Sequence, residues 1–499
     1  MGASFRVPSE LTEFVERSPS RSMLIRGEAG TGKTTLALTL LTTFPGQRVF
    51  ISNRVPLSEL EQDYPWLRSE GSTIQVIEST ARDDVARDRA RSMEKSGDLV
   101  DARSDRHLIE GLWLPDSVTD AYSRVPPGQR GMIVVDSWDA LVERYVGSPS
   151  STNSALPDRA EIERTLIGLM ERSHVQLVLI VERDSPSQLD YLVDGVVFCT
   201  TQHDGGRLER WIHLKKLRGV RITHASYPFS LEGARFECFV PLHGSARPIL
   251  RPPEPDPSPT PGFIWPGLAQ FAENFGRLPI GRATLIETDL DVSSEAAVLF
   301  CTPIFSEVAR LGGRAFHILP PRASPETVLR AYRALVSDEE FVRTVRIFSP
   351  LSSPTTGSDA AILSRVMIHG LSPVPDDTTP RMQEGIRFLA EGGDSGAPNI
   401  IAVWLTGLEH ASVGAANPYT RTNLPVIVER VLESAPMHMI MVGPSSHPFT
   451  EGMREMASIR IEMQSKHGRV FVYGRAPHTP PLVIADGEGR VAYELIRIV

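Results

Sequence analysis

Apolar residues along this chain come in short runs, separated by longer stretches in which apolar and polar positions alternate with helical spacing. The runs Ser22–Ile25, Gln47–Ser52, Gly131–Ser137 and Val175–Val181 are too short for helices and nearly continuous in hydrophobicity. Such runs read as strands buried on both faces, which is the habit of a parallel sheet. Helical patterns lie between them, over Leu36–Leu41 and roughly Arg159–Arg172, with a further short helix over 7–20. Strand–helix alternation of this kind predicts an α/β fold with a mainly parallel central sheet. The segments Leu192–Phe198 and Glu209–Gly219 flank Gly205-Gly206, which predicts a hairpin at one edge.

The order then recurs. Residues 243–262 are dense in proline and read as an extended linker. After them, Ala283–Glu287 repeats the first strand, 294–311 the first helix, and Gly313–Leu319 the second strand. Asn399–Leu405, Met437–Val442 and the hairpin over 458–475 follow in the same sequence. The reading is therefore two tandem domains, 1–242 and 263–499, joined by the linker 243–262. The alternative is an unrelated α/β domain whose strands alternate by chance. Trp265 is expected to pack the linker end onto the second domain.

Composition narrows the class. With 499 residues and 41% hydrophobic content, the chain suits two ordinary cores rather than one. A net charge of −9 argues against a broad nucleic-acid-binding surface. No run of eighteen apolar residues exists, and the N-terminus lacks the apolar stretch of a signal peptide. Cys199, Cys238 and Cys301 have neither metal-ligand spacing nor disulfide density. These features lead us to expect a cytoplasmic protein with buried thiols. Residues 81–111 are a mixed-charge run, read as a solvated helix and loop or as a partner-contacting surface. His438, His447, His467 and His478 are scattered and lack ligand spacing.

The strongest chemical signal is Gly27-Glu28-Ala29-Gly30-Thr31-Gly32-Lys33-Thr34, followed by Thr35. It sits between a strand and a helix, as a Walker A phosphate loop must. Glycines let backbone N–H groups turn onto a phosphate chain, and the helix N-terminus points at the same anions. Lys33 is expected on the β/γ-phosphates and the Thr34 hydroxyl on Mg²⁺. The run ending at Asp136 is the matching Walker B pattern, so Asp136 is expected to hold Mg²⁺ beside Thr34, directly or through water. Ser52, Asn53 and Arg54 leave the second strand close to the nucleotide, because ligands of open α/β sheets gather at strand exits. Glu182 and Arg183 leave another strand there and are candidates for sensing the γ-phosphate or orienting water. Their other reading is simple solvation of the strand end. Lys216 and Arg218 close the hairpin and read either as surface charges or as groups reaching a neighbouring subunit.

Residues 8–242 resemble the RecA-like ATPases of the KaiC/RadA group. The resemblance rests on GEAGTGKTT, IVVDS, VDGVV and KKLRG as they stand here. It implies ATP, Mg²⁺ and homo-oligomers, often hexameric rings, with Lys216 and Arg218 approaching the nucleotide of the next subunit. The group places one or two glutamates after the second strand, whereas this chain has Ser52-Asn53-Arg54. No carboxylate there activates water. The resemblance extends to GvpD-like archaeal proteins, which are linked to gas-vesicle regulation.

In the second half the loop after Ile286 reads Glu287-Thr288-Asp289-Leu290-Asp291 and has no Gly-Lys-Thr element. Thr406-Gly407 is read in place of the Asp-Ser of the first half. That half is expected to be a degenerate RecA-like domain serving assembly, recognition or regulation. The leading expectation is a regulatory ATPase with slow or conditional hydrolysis, with Lys33, Glu182, Lys216 and Arg218 as its catalytic candidates. Alternatives are a nucleotide-gated interaction protein without turnover and a recombinase-like DNA motor. An unidentified regulatory protein is the expected partner.

Overall fold

The computed structural model describes residues 7–68, 73–79, 114–146, 158–183, 185–239, 254–320, 323–333, 336–349, 359–369, 378–391, 397–407, 418–434, 436–485 and 493–499. The mixed-charge run 81–111 lies outside them. The chain divides into two compact units, Met1–Phe239 with Ile498–Val499, and Val240–Arg497. Together they are two tandem α/β domains with the strand order of duplicated RecA-like P-loop domains.

The first unit is built on β1 (Ser22–Arg26), β2 (Gln47–Ser52), β3 (Ile74–Glu78), β4 (Gly131–Asp136), β5 (Val175–Val181), β6 (Gly195–Asp204), β7 (Arg207–Leu217), β8 (Ser226–Ser230) and β9 (Glu237–Cys238). Among the described residues they form one sheet in the order β3-β2-β4-β5-β1-β6-β7-β8-β9. Strands β1 to β6 run parallel, and β7 turns back on β6 through Gly205-Gly206 to form the expected hairpin. Strand β5 is buried at every residue, which matches a run that is apolar but for Gln176, whose amide donates to the carbonyls of Val15 and Ser18. One face of the sheet is covered by a core containing Phe14, Leu36, Leu40 and Phe229. The other is covered by a core with Val118, Trp138 and Leu166.

Register aligns the strand exits. Arg26 of β1 lies opposite Val181 of β5 and Phe198 of β6, and Ser52 of β2 lies opposite Asp136 of β4. The loops leaving β1, β2, β4 and β5 therefore emerge side by side at one edge.

The second unit opens with a small ribbon of β10 (Phe263–Ile264) and β11 (Leu278–Pro279). Its main sheet uses β12 (Ala283–Thr288), β13 (Ala315–Ile318), β14 (Val345–Ser349), β15 (Met367–His369), β16 (Asn399–Trp404), β17 (Met437–Pro444), β18 (Ala457–Lys466), β19 (Arg469–Ala476), β20 (Leu482–Ala485) and β21 (Glu494–Arg497). The order is β15-β14-β13-β16-β17-β12-β18-β19-β20-β21. Its central run, β14-β13-β16-β17-β12-β18-β19, repeats the run β3-β2-β4-β5-β1-β6-β7 of the first sheet. Sequence reading missed β14 and β15. Both are short, and β14 carries Arg346 directly after the helix Asp338–Thr344, which blurs its apolar run.

Trp265 is buried, with its indole N–H donating to the Glu254 carbonyl at 2.7 Å and the Arg277 guanidinium 4.9 Å from its ring. Arg277 also pairs with Asp256, so two residues of the proline-rich stretch are tied to the second unit. Among the described residues, no helix is long and apolar enough to cross a membrane.

Candidate functional site

The phosphate loop starts where β1 ends. Gly27 has φ +146°, and a Cβ there would stand 2.2 Å from the carbonyl oxygen of Cys199 on β6, so only glycine lets the loop leave this close to the sheet. Gly30 and Gly32 have φ of 75° and 86°, and the helix Lys33–Thr43 begins directly after them. Lys33 is buried, and its ammonium donates to the Glu28 carbonyl at 2.5 Å. The Thr31 hydroxyl donates to the same carbonyl at 2.9 Å. The Ala29-Gly30 bend thus stands proud of its neighbours: no atom lies within 4 Å of the place a Gly30 Cβ would take. Arg210 of β7 supports the loop from the hairpin side by donating to the Gly30 carbonyl at 2.8 Å. Thr35 shares a 3.2 Å hydrogen bond with the Tyr64 hydroxyl.

Asp136 leaves β4 directly opposite the start of that helix. It accepts from the Thr34 hydroxyl at 2.6 Å. Burial pushes its carboxyl above the ordinary range, and Glu182 adds to that push. The Thr34 hydrogen bond and the positive charges of Lys33 and Arg54 oppose it. A hydroxyl and a carboxylate oxygen in contact, beside a buried ammonium and an open glycine bend, are hard-oxygen ligands next to a phosphate cradle. The donor set fits Mg²⁺ held through oxygen and a phosphate chain wrapped by N–H groups.

The neighbouring strand exits are tied to Asp136 by side chains. Asn53 is buried, and its amide donates to the Ser137 carbonyl at 2.5 Å while accepting from the Ser137 N–H at 2.9 Å. Arg144 donates to the Asn53 carbonyl at 2.5 Å. Arg54, next along, pairs with Glu182. Because β2 and β5 flank β4 on either side, this ion pair spans the exit from which Asp136 emerges. The backbone N–H of Glu182 is held in turn by the buried Asp139 carboxylate at 3.2 Å, and Arg159 fixes Asp139 at 2.7 Å. Arg183 pairs with Glu143 at 2.7 Å and lies 3.9 Å from the same Asp139 carboxylate.

Lys33, Thr34, Asp136 and Glu182 therefore share one edge of the sheet, and Lys216 and Arg218 do not. Gly195 and Val196 begin β6, and they pair with Leu217 and Lys216; their partners on β1, Met23 and Leu24, lie four and three residues before Gly27. There Lys216 donates to the carbonyls of Asp190, Tyr191 and Val193 at 3.0, 3.3 and 2.6 Å, which satisfies the end of the helix Gln188–Leu192. Arg218 pairs with Asp194 at 2.8 Å. Burial and the neighbouring Arg218 lower the Lys216 pKa. Sequence reasoning missed Asp139, Arg159 and Arg210. Their only sequence signal is polarity beside a motif.

The second unit has no such cradle. Ile286 and Val442 pair on the face covered by the helix Ser294–Arg310, as Ile25 and Ile180 pair on the face covered by the helix Lys33–Thr43, so Glu287 occupies the place of Arg26, at the end of the strand. Glu287 is buried and accepts from Arg454 at 2.6 and 3.0 Å and from Arg460 at 3.2 Å. Register also corrects the Walker B equivalence. Val134 lies in the core under the helix Lys33–Thr43 and Asp136 follows it on that face, whereas Ala402 and Trp404 lie in the core under the helix Ser294–Arg310, so Trp404 stands in the carboxylate's place, ahead of Thr406. Among the described residues, no cluster of three or more His, Cys, Asp or Glu could hold a metal ion. His438 and His317 are core residues, bonded to Thr284 and to Tyr332 at 2.9 Å each.

Comparison with known proteins agrees with this layout. A family model described as "GvpD gas vesicle protein, P-loop domain" matches residues 11–215. Protein GvpD2 of Halobacterium salinarum is 26% identical over 506 aligned residues, covering 97% of this chain and 94% of the relative. Protein GvpD1 of the same organism is 26% identical over 371 residues, covering 70% of this chain and 63% of the relative.

Proposed function

We propose that this chain, which belongs to the GvpD P-loop ATPase family, binds ATP with Mg²⁺ in its first domain and hydrolyses it slowly or conditionally as a regulatory ATPase of a gas-vesicle system. The observation that carries the reading is the 2.6 Å contact between Thr34 and Asp136 beside the buried Lys33. Lys33 moves from the Glu28 carbonyl to a phosphate oxygen, and the glycine N–H groups hold the chain of phosphates. Mg²⁺ between Thr34 and Asp136 would neutralise charge on the phosphate oxygens. Glu182, fixed through Asp139, is the carboxylate at this edge suited to taking a proton from water.

In this reading the functional domains are 1–242 and 263–499 with the linker 243–262, and the second serves assembly or regulation. Lys216 and Arg218 face away from their own P-loop, so any phosphate they serve belongs to a neighbouring copy in a ring. A second reading is supported by Arg54: it pairs with Glu182 and stands where related ATPases carry a glutamate, which favours a nucleotide-gated protein with little turnover. Steady-state ATPase and nucleotide-binding measurements on wild type and Lys33→Ala separate the readings. Turnover abolished with the substitution supports the enzyme, and Lys33-dependent binding without turnover supports the gate. Nucleotide affinity indifferent to Lys33 overturns both.

A further inference from the structure

The pair Arg54–Glu182 is the most unusual arrangement at the P-loop edge. Each partner is fixed at its backbone rather than at its charged end. Arg54 follows Asn53, which is clamped to Ser137, and Glu182 is held at its N–H by Asp139. The charged ends are half exposed, with 46% of the Arg54 side chain and 33% of the Glu182 side chain open to solvent. An exposed ion pair of this kind contributes little to stability. It can therefore open without disturbing the clamps beneath it. It also lies over the exit of β4, and both members act electrostatically on Asp136, as Lys33 does.

We infer that Arg54 is a latch on Glu182 that opens to the terminal phosphate of a nucleoside triphosphate. This rests on the nucleotide reading above and adds its regulation. In the latched state one Glu182 oxygen is occupied by a guanidinium hydrogen bond, which holds the carboxylate against Arg54. A terminal phosphate in the cradle offers Arg54 two oxygens in the planar geometry a guanidinium prefers. Arg54 turns to it and Glu182 is released. The water oxygen then bonds to the terminal phosphorus as the bond to the bridging oxygen breaks. That electron pair leaves with the nucleoside diphosphate, and the water proton passes to Glu182. A diphosphate lacks the group that opens the latch, so the device distinguishes the two nucleotides.

Linkage gives a test that does not depend on turnover. If Arg54 must leave Glu182 to bind the terminal phosphate, removing the Glu182 charge tightens triphosphate binding and leaves diphosphate binding alone. Calorimetric affinities for ADP and a non-hydrolysable ATP analogue, each with Mg²⁺, are measured on the full chain. Glu182→Gln is expected to bind the analogue roughly fivefold to tenfold more tightly, with ADP unchanged. Arg54→Met is expected to lose the preference for the analogue, and in the double variant Glu182→Gln has no further effect. Both side chains are half exposed, so the variants fold, which circular dichroism checks. Equal effects on both nucleotides, or none, overturn the latch while Lys33-dependent binding keeps the nucleotide reading. Affinity that ignores Lys33→Ala overturns the nucleotide reading instead.

Discussion

Asn53 and Ser137 exchange two hydrogen bonds, the Asn53 amide donating to the Ser137 carbonyl and accepting from its N–H. The amide reads the backbone immediately after Asp136, so it fixes where that carboxylate emerges. Asn53→Ala leaves two buried backbone groups without partners, at a cost of about 3 kcal/mol. Urea denaturation should show that loss, and Mg²⁺-dependent nucleotide affinity should fall with it. Asn53→Asp keeps the acceptor and loses the donor, so it should fall between the two.

The magnesium ligands make a prediction of their own. Asp136→Asn keeps the shape of the side chain and removes its charge, so nucleotide binding should lose its Mg²⁺ dependence in a calorimetric titration. Lys33→Ala should lower kcat by about 100-fold, the usual effect of deleting a charge-stabilising donor.

Two glycines of one loop should respond differently. Gly27→Ala drives a methyl group into the Cys199 carbonyl and should cost about 3 kcal/mol or prevent folding. Gly30→Ala meets no atom and should cost only about 1 kcal/mol for its left-handed backbone. Thermal melts of the two variants check the contrast.

The buried histidines predict an acid-side loss of stability. Burial lowers His438 from 6.5 to about 4 and His317 to about 3. His438 donates through Nδ1 to the Pro279 carbonyl at 2.8 Å, so its Nε2 accepts from Thr284, and the ring is neutral when folded. Between about 4 and 6.5 the unfolded chain binds a proton at this position and the folded chain does not. Stability is therefore complete above 6.5 and falls as pH drops, by about 3 kcal/mol for His438 once pH reaches 4. His438→Gln, which can supply both a donor and an acceptor, should remove roughly half the slope in denaturation curves collected from pH 7 to 4.

Much of this was legible in the chain. The strands β1, β4 and β5 announce themselves because each carries a short, mostly apolar run, and Gly27 to Thr35 carries its chemistry in its spacing. The Gly205-Gly206 hairpin is written in its turn residues. What could not be read was lateral. Asp139 holding Glu182, Arg210 holding Gly30 and Arg54 spanning β4 depend on strand order, and none of those pairs is close in sequence. The same limit misplaced the Walker B equivalent of the second half. Only the pairing with β17 and the face shared with the helix Ser294–Arg310 show that Trp404 stands in line with Asp136.

Glu287, held by Arg454 and Arg460, stands where the first half has Arg26 paired with Asp190, so the two halves carry this pairing with its charges exchanged. A chimera that moved one half's first strand into the other half's sheet would set like charges against each other, so the strand and its partner have to travel together.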